Sequence, residues 1–428
     1  MNAMVALGLV GTLGIFAGTL TLVLVKPRGW NEACWPVLGA TAMILLDLVT
    51  PEQAFAMVWA SRSALLFLLA LLLLSALLEV SGFFEWAALH AGHRACGDGR
   101  RLFRNVFGLG ALVTTVLSLD TTAVMLTPIV LAFVKRLRLP ARPYVIASAF
   151  VANIASLALP MSNLTNLLFA DAFRIPFERF AVRMMAPQLV AVGVTYFLLR
   201  WRFSAELHCF ESKDLAAPSS AIPDRRYFRF AVAVLALVVV GYFVASAAHV
   251  EPYVVAFGGV AALAVVGVRR RRVTARTLRE ISWGLFPLVI GLFVVVRGVE
   301  NLGIVTTAAS WVARAPDHSV VRALLTSATT GAASNLMNNL PAALVARSVL
   351  QEAGADRASM FGALLGLDIG ATILPTGSLA TLLVLDVARK KGERVAAVEM
   401  TKIALWLTPI VLFLAVAAFA VVDSWADP

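Results

Sequence analysis

Two stretches of the chain put polar chemistry where hydrocarbon is expected. "GLDIGATILPTGSLATLL" spans residues 366–383 and "ANIASLALPMSNLTNLL" spans 152–168. Each is apolar enough to lie in a membrane, yet each is broken by proline, Pro375 in one and Pro160 in the other. Proline lacks a backbone N–H and disfavours helix at the residue before it. A helix broken inside hydrocarbon frees N–H and C=O groups that must face protein or a wet cavity. The polar residues at the breaks are Ser162, Asn163, Thr165 and Asn166 in the first stretch, and Thr376, Ser378 and Thr381 in the second, where Gly377 permits open geometry. Each half-helix that follows a break presents free N–H donors and a partial positive end.

Two further segments, near 103–135 and 319–349, are expected to fold back on themselves as re-entrant hairpins. Their tips carry Ser118, Asp120, Thr121 and Thr122 in one case, and Ser334, Asn335, Asn338 and Asn339 in the other. Ser, Thr and Asn in membrane helices also act as interhelical hydrogen-bond partners. Two tips and two breaks meeting near the midplane instead predict a substrate site of hydroxyl, amide and backbone groups. Intramembrane carboxylates are costly and point to function. Burial disfavours the charged form of such a group, so Asp120 and Asp368 are the candidate proton or ion carriers.

The elements that hold these residues follow from composition. Of 428 residues, 60% are hydrophobic and 14% charged, against about a quarter charged in soluble domains. Runs such as 4–25 are long enough to cross about 30 Å of hydrocarbon. The fold class is therefore an all-α polytopic membrane protein, in the cytoplasmic membrane. Spans are expected near 4–25, 30–49, 64–84, 144–172, 182–199, 229–247, 253–268, 282–300, 357–386 and 402–422. With the hairpins folded back, the loops alternate in charge. One set holds 27 of the 36 Lys and Arg residues, the other 8, and Arg297 falls inside a span. The basic set is cytoplasmic by the positive-inside rule. That also accounts for a net charge of +11 without nucleic acid.

Three domains are expected: an N-terminal transmembrane repeat over 1–199, a polar cytoplasmic linker over 200–228, and an inverted C-terminal repeat over 229–428. Each repeat has about five spans, one of them interrupted, and a re-entrant hairpin. "LPMSNLTNLLFADAFR" (159–174) aligns with "LPTGSLATLLVLDVAR" (374–389) at an offset of 215. The same offset sets Asn153 opposite Asp368 and Asn166 opposite Thr381. Inverted repeats with interrupted helices mark secondary transporters.

Other chemistry finds little support. Cys34, Cys96 and Cys209 are widely spaced, with no CxxC motif. "HAGHRAC" (90–96) puts His90, His93 and Cys96 over about two helical turns with no fourth ligand nearby. No Walker A motif is present, so no nucleotide hydrolysis, metal or cofactor is expected, and no enzyme activity.

Several stretches resemble the ArsB arsenite/antimonite efflux permease family of the ion transporter superfamily. They are "VSGFFEWAALH" (80–90), "LDTTAVMLTPIV" (119–130), "LALPMSNLTNLL" (157–168), "MNNLPAALV" (337–345) and "GLDIGATILPTGSLATLL" (366–383). The resemblance implies an elevator-type fold and export of trivalent arsenic and antimony, as hydroxides, in exchange for protons. It also implies a partner ATPase (ArsA-type) in some members. A homodimer is a further expectation of assembly. Arsenite is mostly uncharged As(OH)3 at neutral pH, and a site without Lys or Arg suits it. The chain departs from the family pattern at Leu119-Asp120, where an Asn-Asp pair is expected, and at Asn153, where an Asp is expected. Coupling then rests on Asp120 and Asp368. The alternative is a cation-coupled organic-anion transporter, of the dicarboxylate or citrate type, in the same superfamily.

Overall fold

The computed structural model describes residues 3–25, 33–211, 215–248, 250–279 and 281–426. Lys26 and Arg28, counted above among the basic loops, and residues 212–214 of the linker lie outside the described residues. Every regular element among the described residues is helical. In chain order they are α1 (Ala3–Val25), α2 (Cys34–Leu45), α3 (Pro51–Ala60), α4 (Arg62–Val80), α5 (Phe83–His93), α6 (Gly99–Val116), α7 (Leu119–Thr121), α8 (Thr127–Arg136), α9 (Arg142–Ile154), α10 (Leu164–Ala172) and α11 (Phe177–Arg202). The second half continues with α12 (Arg225–Ala247), α13 (Pro252–Arg269), α14 (Ala275–Arg279), α15 (Leu285–Asn301), α16 (Ile304–Ala313), α17 (Ser319–Met337), α18 (Asn339–Glu352), α19 (Arg357–Asp368), α20 (Leu379–Lys390) and α21 (Ala397–Ala426).

Among the described residues, Arg62–Val80, Phe177–Arg202, Arg225–Ala247, Pro252–Arg269 and Ala397–Trp425 are each long and apolar enough to cross a bilayer unbroken. The expected span near 282–300 is α15, which bends by 76° into α16. Gly303 makes that bend with φ 73°, a left-handed value glycine adopts without strain. Gly82 does the same between α4 and α5 with φ 83°. The sequence reading did not foresee either bend, nor the short α3, which Thr50 and Gln53 start with a reciprocal capping box.

The two proline-broken segments have one form. α9 ends at Ile154, a 3-10 turn forms at Pro160–Ser162, and α10 starts at Leu164. α19 ends at Asp368, a 3-10 turn forms at Pro375–Gly377, and α20 starts at Leu379. Both hairpins are sharp. α6 meets α7 at Leu117–Ser118, and a π-helical turn at Thr122–Leu126 leads into α8. α17 meets α18 at Asn338 alone.

Small residues let the second hairpin and the second broken helix approach closely. Gly362, Gly366 and Gly370 recur every fourth residue along α19 and past its end, facing Ala323, Ser327 and Gly331 of the α17 arm. A Cβ on Gly366 would lie 2.1 Å from the Ser327 carbonyl oxygen. Such small-xxx-small faces are how membrane helices gain contact when lipid competes for every apolar side chain. Gly366→Ala should therefore push the two elements apart and lower stability by on the order of 1–3 kcal/mol. Thermal unfolding in detergent checks this, with Gly258→Ala as control, because a Cβ at Gly258 meets nothing within 4 Å. Equal midpoints for the two variants would contradict the packing account.

Candidate functional site

Both hairpin tips and both helix breaks line one small central cavity of about 40 Å³. Leu119 and Asp120 come from the first tip, Asn339 and Leu340 from the second. Asn163, Leu164 and Thr165 come from the start of α10, and Leu379 and Ala380 from the start of α20. Its apolar wall is Leu68 of α4 with Leu285, Leu288 and Val289 of α15. Among the described residues, the lining contains no Lys or Arg. A larger cavity of about 230 Å³ adjoins it through shared Asp120 and Leu285. That cavity is walled by Ser75, Thr121, Ile281 and Ser282, close to the basic 269–279 segment. A third cavity, of about 310 Å³, reaches Pro160 and Leu167 and is ringed by Asp171, Arg174 and Glu251. It shares no lining residue with the central one.

The expected site residues divide by what they touch. Asp120, Asn163 and Asn339 line the central cavity, and Thr121 lines the access cavity. Asn338 borders a small neighbouring cavity with Leu340 and Leu379. The remaining residues, apart from Ser378, whose Oγ has no hydrogen-bond partner, hold the tips and breaks in shape. Ser118 caps α7 by accepting from the Thr121 backbone N–H at 3.1 Å. Thr122 shares a 2.8 Å hydroxyl bond with Thr114 inside the first hairpin. Ser162 donates to the Thr115 carbonyl at 2.7 Å, tying the first break to α6. Asn335 donates to the carbonyls of Gly331 at 2.7 Å and Gly370 at 2.8 Å. Its Oδ1 accepts from the Leu374 backbone N–H at 2.7 Å. One side chain thus satisfies two backbone groups freed by the second break. Gly377 is needed beside it, since a Cβ there would lie 2.2 Å from the Ala371 carbonyl oxygen and 2.8 Å from Asn335 Oδ1.

Asn338 sits at φ 76°, ψ 153°, a region that costs a non-glycine residue on the order of 1–3 kcal/mol. Its side chain offsets this by capping α18 and by donating to the Thr376 carbonyl at 3.0 Å. The second tip is thereby hooked to the second break.

The breaks also reach each other across the two halves. Asp368, fully buried at the end of α19, accepts through Oδ1 from Asn163 Nδ2 at 2.7 Å and from Thr165 Oγ1 at 3.0 Å. Asn163 in turn caps α10, accepting from the Thr165 N–H at 3.2 Å. The Asn166 side chain lies beside the same carboxyl, with its Nδ2 donating to the Ser156 carbonyl at 2.6 Å. Asn153 of α9 makes the counterpart bond, donating to Thr381 Oγ1 of α20 at 3.0 Å. Positions paired by the 215-residue offset are therefore in contact crosswise. At the two breaks, among the described residues, four buried acceptors or hydroxyls have no hydrogen-bond partner: Asp368 Oδ2, Asn166 Oδ1, Asn153 Oδ1 and Ser378 Oγ.

Sequence reasoning passed over Gln188, on α11. It donates to Thr115 Oγ1 at 2.7 Å, and its Oδ-equivalent Oε1 accepts from the Ala158 N–H at 2.7 Å. A glutamine beside Pro187 in an apolar span was the available signal. Ser75, bonded to Thr121 at 2.8 Å, had a similar one. Leu285 and Leu288 had none, because nothing marks which leucines of a span meet a cavity. His93 is occupied with the Ala216 carbonyl at 3.0 Å, away from these cavities.

The shared wall predicts access from one side. With the native cysteines replaced by serine, Asn339→Cys should react with a small hydrophilic maleimide added on the face of the basic loops. Adding Leu285→Trp, at the junction of the two cavities, should strongly slow that labelling. Equal rates with and without the tryptophan would show that the cavities do not communicate there.

A family model described as "ArsB: Arsenical pump membrane protein" matches residues 12–422. The "Arsenical pump membrane protein" of Escherichia coli (strain K12) is 32% identical over 419 residues, covering 95% of this chain and 97% of the relative. The "Putative arsenical pump membrane protein" of Bacillus subtilis (strain 168) is 25% identical over 437 residues, covering 96% and 99%. Among solved structures, the YdaH transporter of Alcanivorax borkumensis superposes with a TM-score of 0.59 at 15% identity, covering 89% of this chain and 90% of that one. At that identity the likeness concerns the fold.

Proposed function

Because the chain belongs to the ArsB family of arsenical pump membrane proteins, we propose that it exports arsenite and antimonite from the cytoplasm in exchange for protons. It is a transporter rather than an enzyme, a multi-pass protein of the cytoplasmic membrane. The observation that carries the proposal is the central cavity, where two hairpin tips and two helix breaks converge. Its polar lining of Asp120, Asn163, Thr165 and Asn339 is amide, hydroxyl and one carboxyl. Such groups donate to and accept from the three hydroxyls of As(OH)3 and Sb(OH)3. A neutral solute needs no cationic clamp, whereas a dicarboxylate would leave its charges unpaired beside Asp120. That favours a neutral hydroxide over the organic-anion alternative.

In the proposed cycle Asp120 and Asp368 divide the work. Asp120 stands where the access cavity meets the central one and contacts the solute. Asp368 is sealed off and acts through Asn163, which both binds its carboxyl and lines the cavity. A bare carboxylate with two neutral donors is expensive to bury. A proton on Oδ2 removes the charge and adds a donor beside Asn166, whose Oδ1 has no hydrogen-bond partner. Solute and proton would then alternate through one amide. The crosswise bonds between the halves also support an inverted-repeat, elevator-type motion. The reading leaves the cytoplasmic face free for an ArsA-type ATPase, and a homodimer is the assembly it favours.

Two measurements check the proposal. Expression in cells lacking arsenite efflux should lower cellular arsenic; unchanged arsenic with altered citrate or succinate uptake would favour the organic-anion reading. In everted vesicles, Asp368→Asn should insert normally yet abolish proton-driven arsenite uptake. Full activity of that variant would remove Asp368 from the mechanism.

A further inference from the structure

A fifth cavity lies away from the central site, and its wall is cationic. It encloses about 260 Å³ and is lined by Asp98, Arg100, Arg101, Arg104, Tyr196 and Arg200. Three of the arginines stand on the first turns of α6, and the fourth on the last turn of α11. All four belong to the basic set of loops and helix ends.

One carboxylate faces four guanidiniums, and it is already engaged. Asp98 Oδ1 accepts from the backbone N–H groups of Arg100 at 2.7 Å and Arg101 at 3.3 Å. Its Oδ2 lies 3.5 Å from Arg101 Nε. Arg104 donates to Asn105 Oδ1 at 3.4 Å. Among the described residues, Arg100 and Arg200 form no ion pair. Gathered like charges repel, and a cavity that keeps them together gains from an anion that neutralises them. The planar fork of arginine matches phosphate oxygens two at a time. Basic pockets between membrane helices on the cytoplasmic side are suited to anionic lipid headgroups.

The surface of the two helices around this cavity is apolar and exposed. Trp201, next to Arg200, is 71% exposed, Phe197 is 64% exposed and Leu112 of α6 is 61% exposed. Tryptophan and tyrosine collect at the membrane–water interface, and Tyr196 lines the cavity itself. On the same two helices Gly108 and Gly193 face open space. They follow Arg104 by one turn and precede Tyr196 by one turn, leaving bare backbone where an acyl chain can lie. Inorganic phosphate shares the headgroup chemistry but has no use for that apolar surface.

We propose that the arginine-lined cavity between α6 and α11 binds the phosphate of an anionic membrane lipid, with the acyl chains lying along the exposed faces of those helices. Native mass spectrometry of the purified full chain tests this with phosphatidylglycerol and phosphatidylcholine of identical acyl chains. The wild-type protein should retain phosphatidylglycerol in preference. The preference should be reduced in Arg200→Gln and lost in the combined Arg100→Gln, Arg104→Gln, Arg200→Gln variant. A control variant with the same loss of charge, Arg225→Gln, Arg226→Gln, Arg229→Gln on α12, should keep it. Equal retention by wild type and by both cavity variants would overturn the site. Displacement of the lipid by excess inorganic phosphate would overturn the lipid assignment in favour of a free anion.

Discussion

Two helices end inside an apolar molecule, and every backbone group freed there has to find a partner. Lipid offers none, and each group left open costs several kcal/mol. Most of the polar side chains near the middle of this fold answer that demand. Asn335 closes the second break from α17, Ser162 ties the first break to α6, and Gln188 reaches Ala158 from α11. The constraint also dictates the glycines. Where a side chain must reach the backbone of a neighbouring helix, the two have to come close, and Gly366, Gly370 and Gly377 allow it.

The candidate site is the polar lining of the central cavity. After the breaks are satisfied, the polar side chains facing the central cavity are few: Asp120, Asn163, Thr165 and Asn339. Asn163 belongs to both groups, since it caps α10, holds Asp368 and lines the cavity. In the proposed cycle, a change at the solute is felt at a carboxyl that the solute never touches. At the breaks, the second half bonds to the first at two crosswise points, Asp368 with Asn163 and Thr165, and Asn153 with Thr381. Only the first of these includes a titratable group, so the two breaks are alike in form and unlike in charge.

Much of this arrangement was legible in the sequence because proline and carboxylates inside apolar runs are loud signals. The two breaks, both hairpin tips and the family follow from residues such as Pro160, Pro375 and Asp368. The division of labour among the polar residues was not legible. Asn335 and Asn339 are four positions apart and chemically identical, yet one staples backbone and the other faces a cavity. Only the packing of α17 against α19 separates them. The repeat of Gly362, Gly366 and Gly370 was present in the sequence and went unread, because glycine in a membrane helix has several meanings until its neighbour is known. The α4–α5 and α15–α16 bends were missed for the same reason: a single left-handed glycine looks like any other.

The central claim is that solute in the cavity and a proton on Asp368 exclude one another through Asn163. Infrared difference spectroscopy, with and without arsenite, reads the protonated carboxyl directly. The account predicts that a carboxylic-acid carbonyl band disappears on arsenite binding, and that the change is absent in Asp368→Asn. An identical band change in the two proteins, or arsenite binding with no carboxyl change at all, would contradict it.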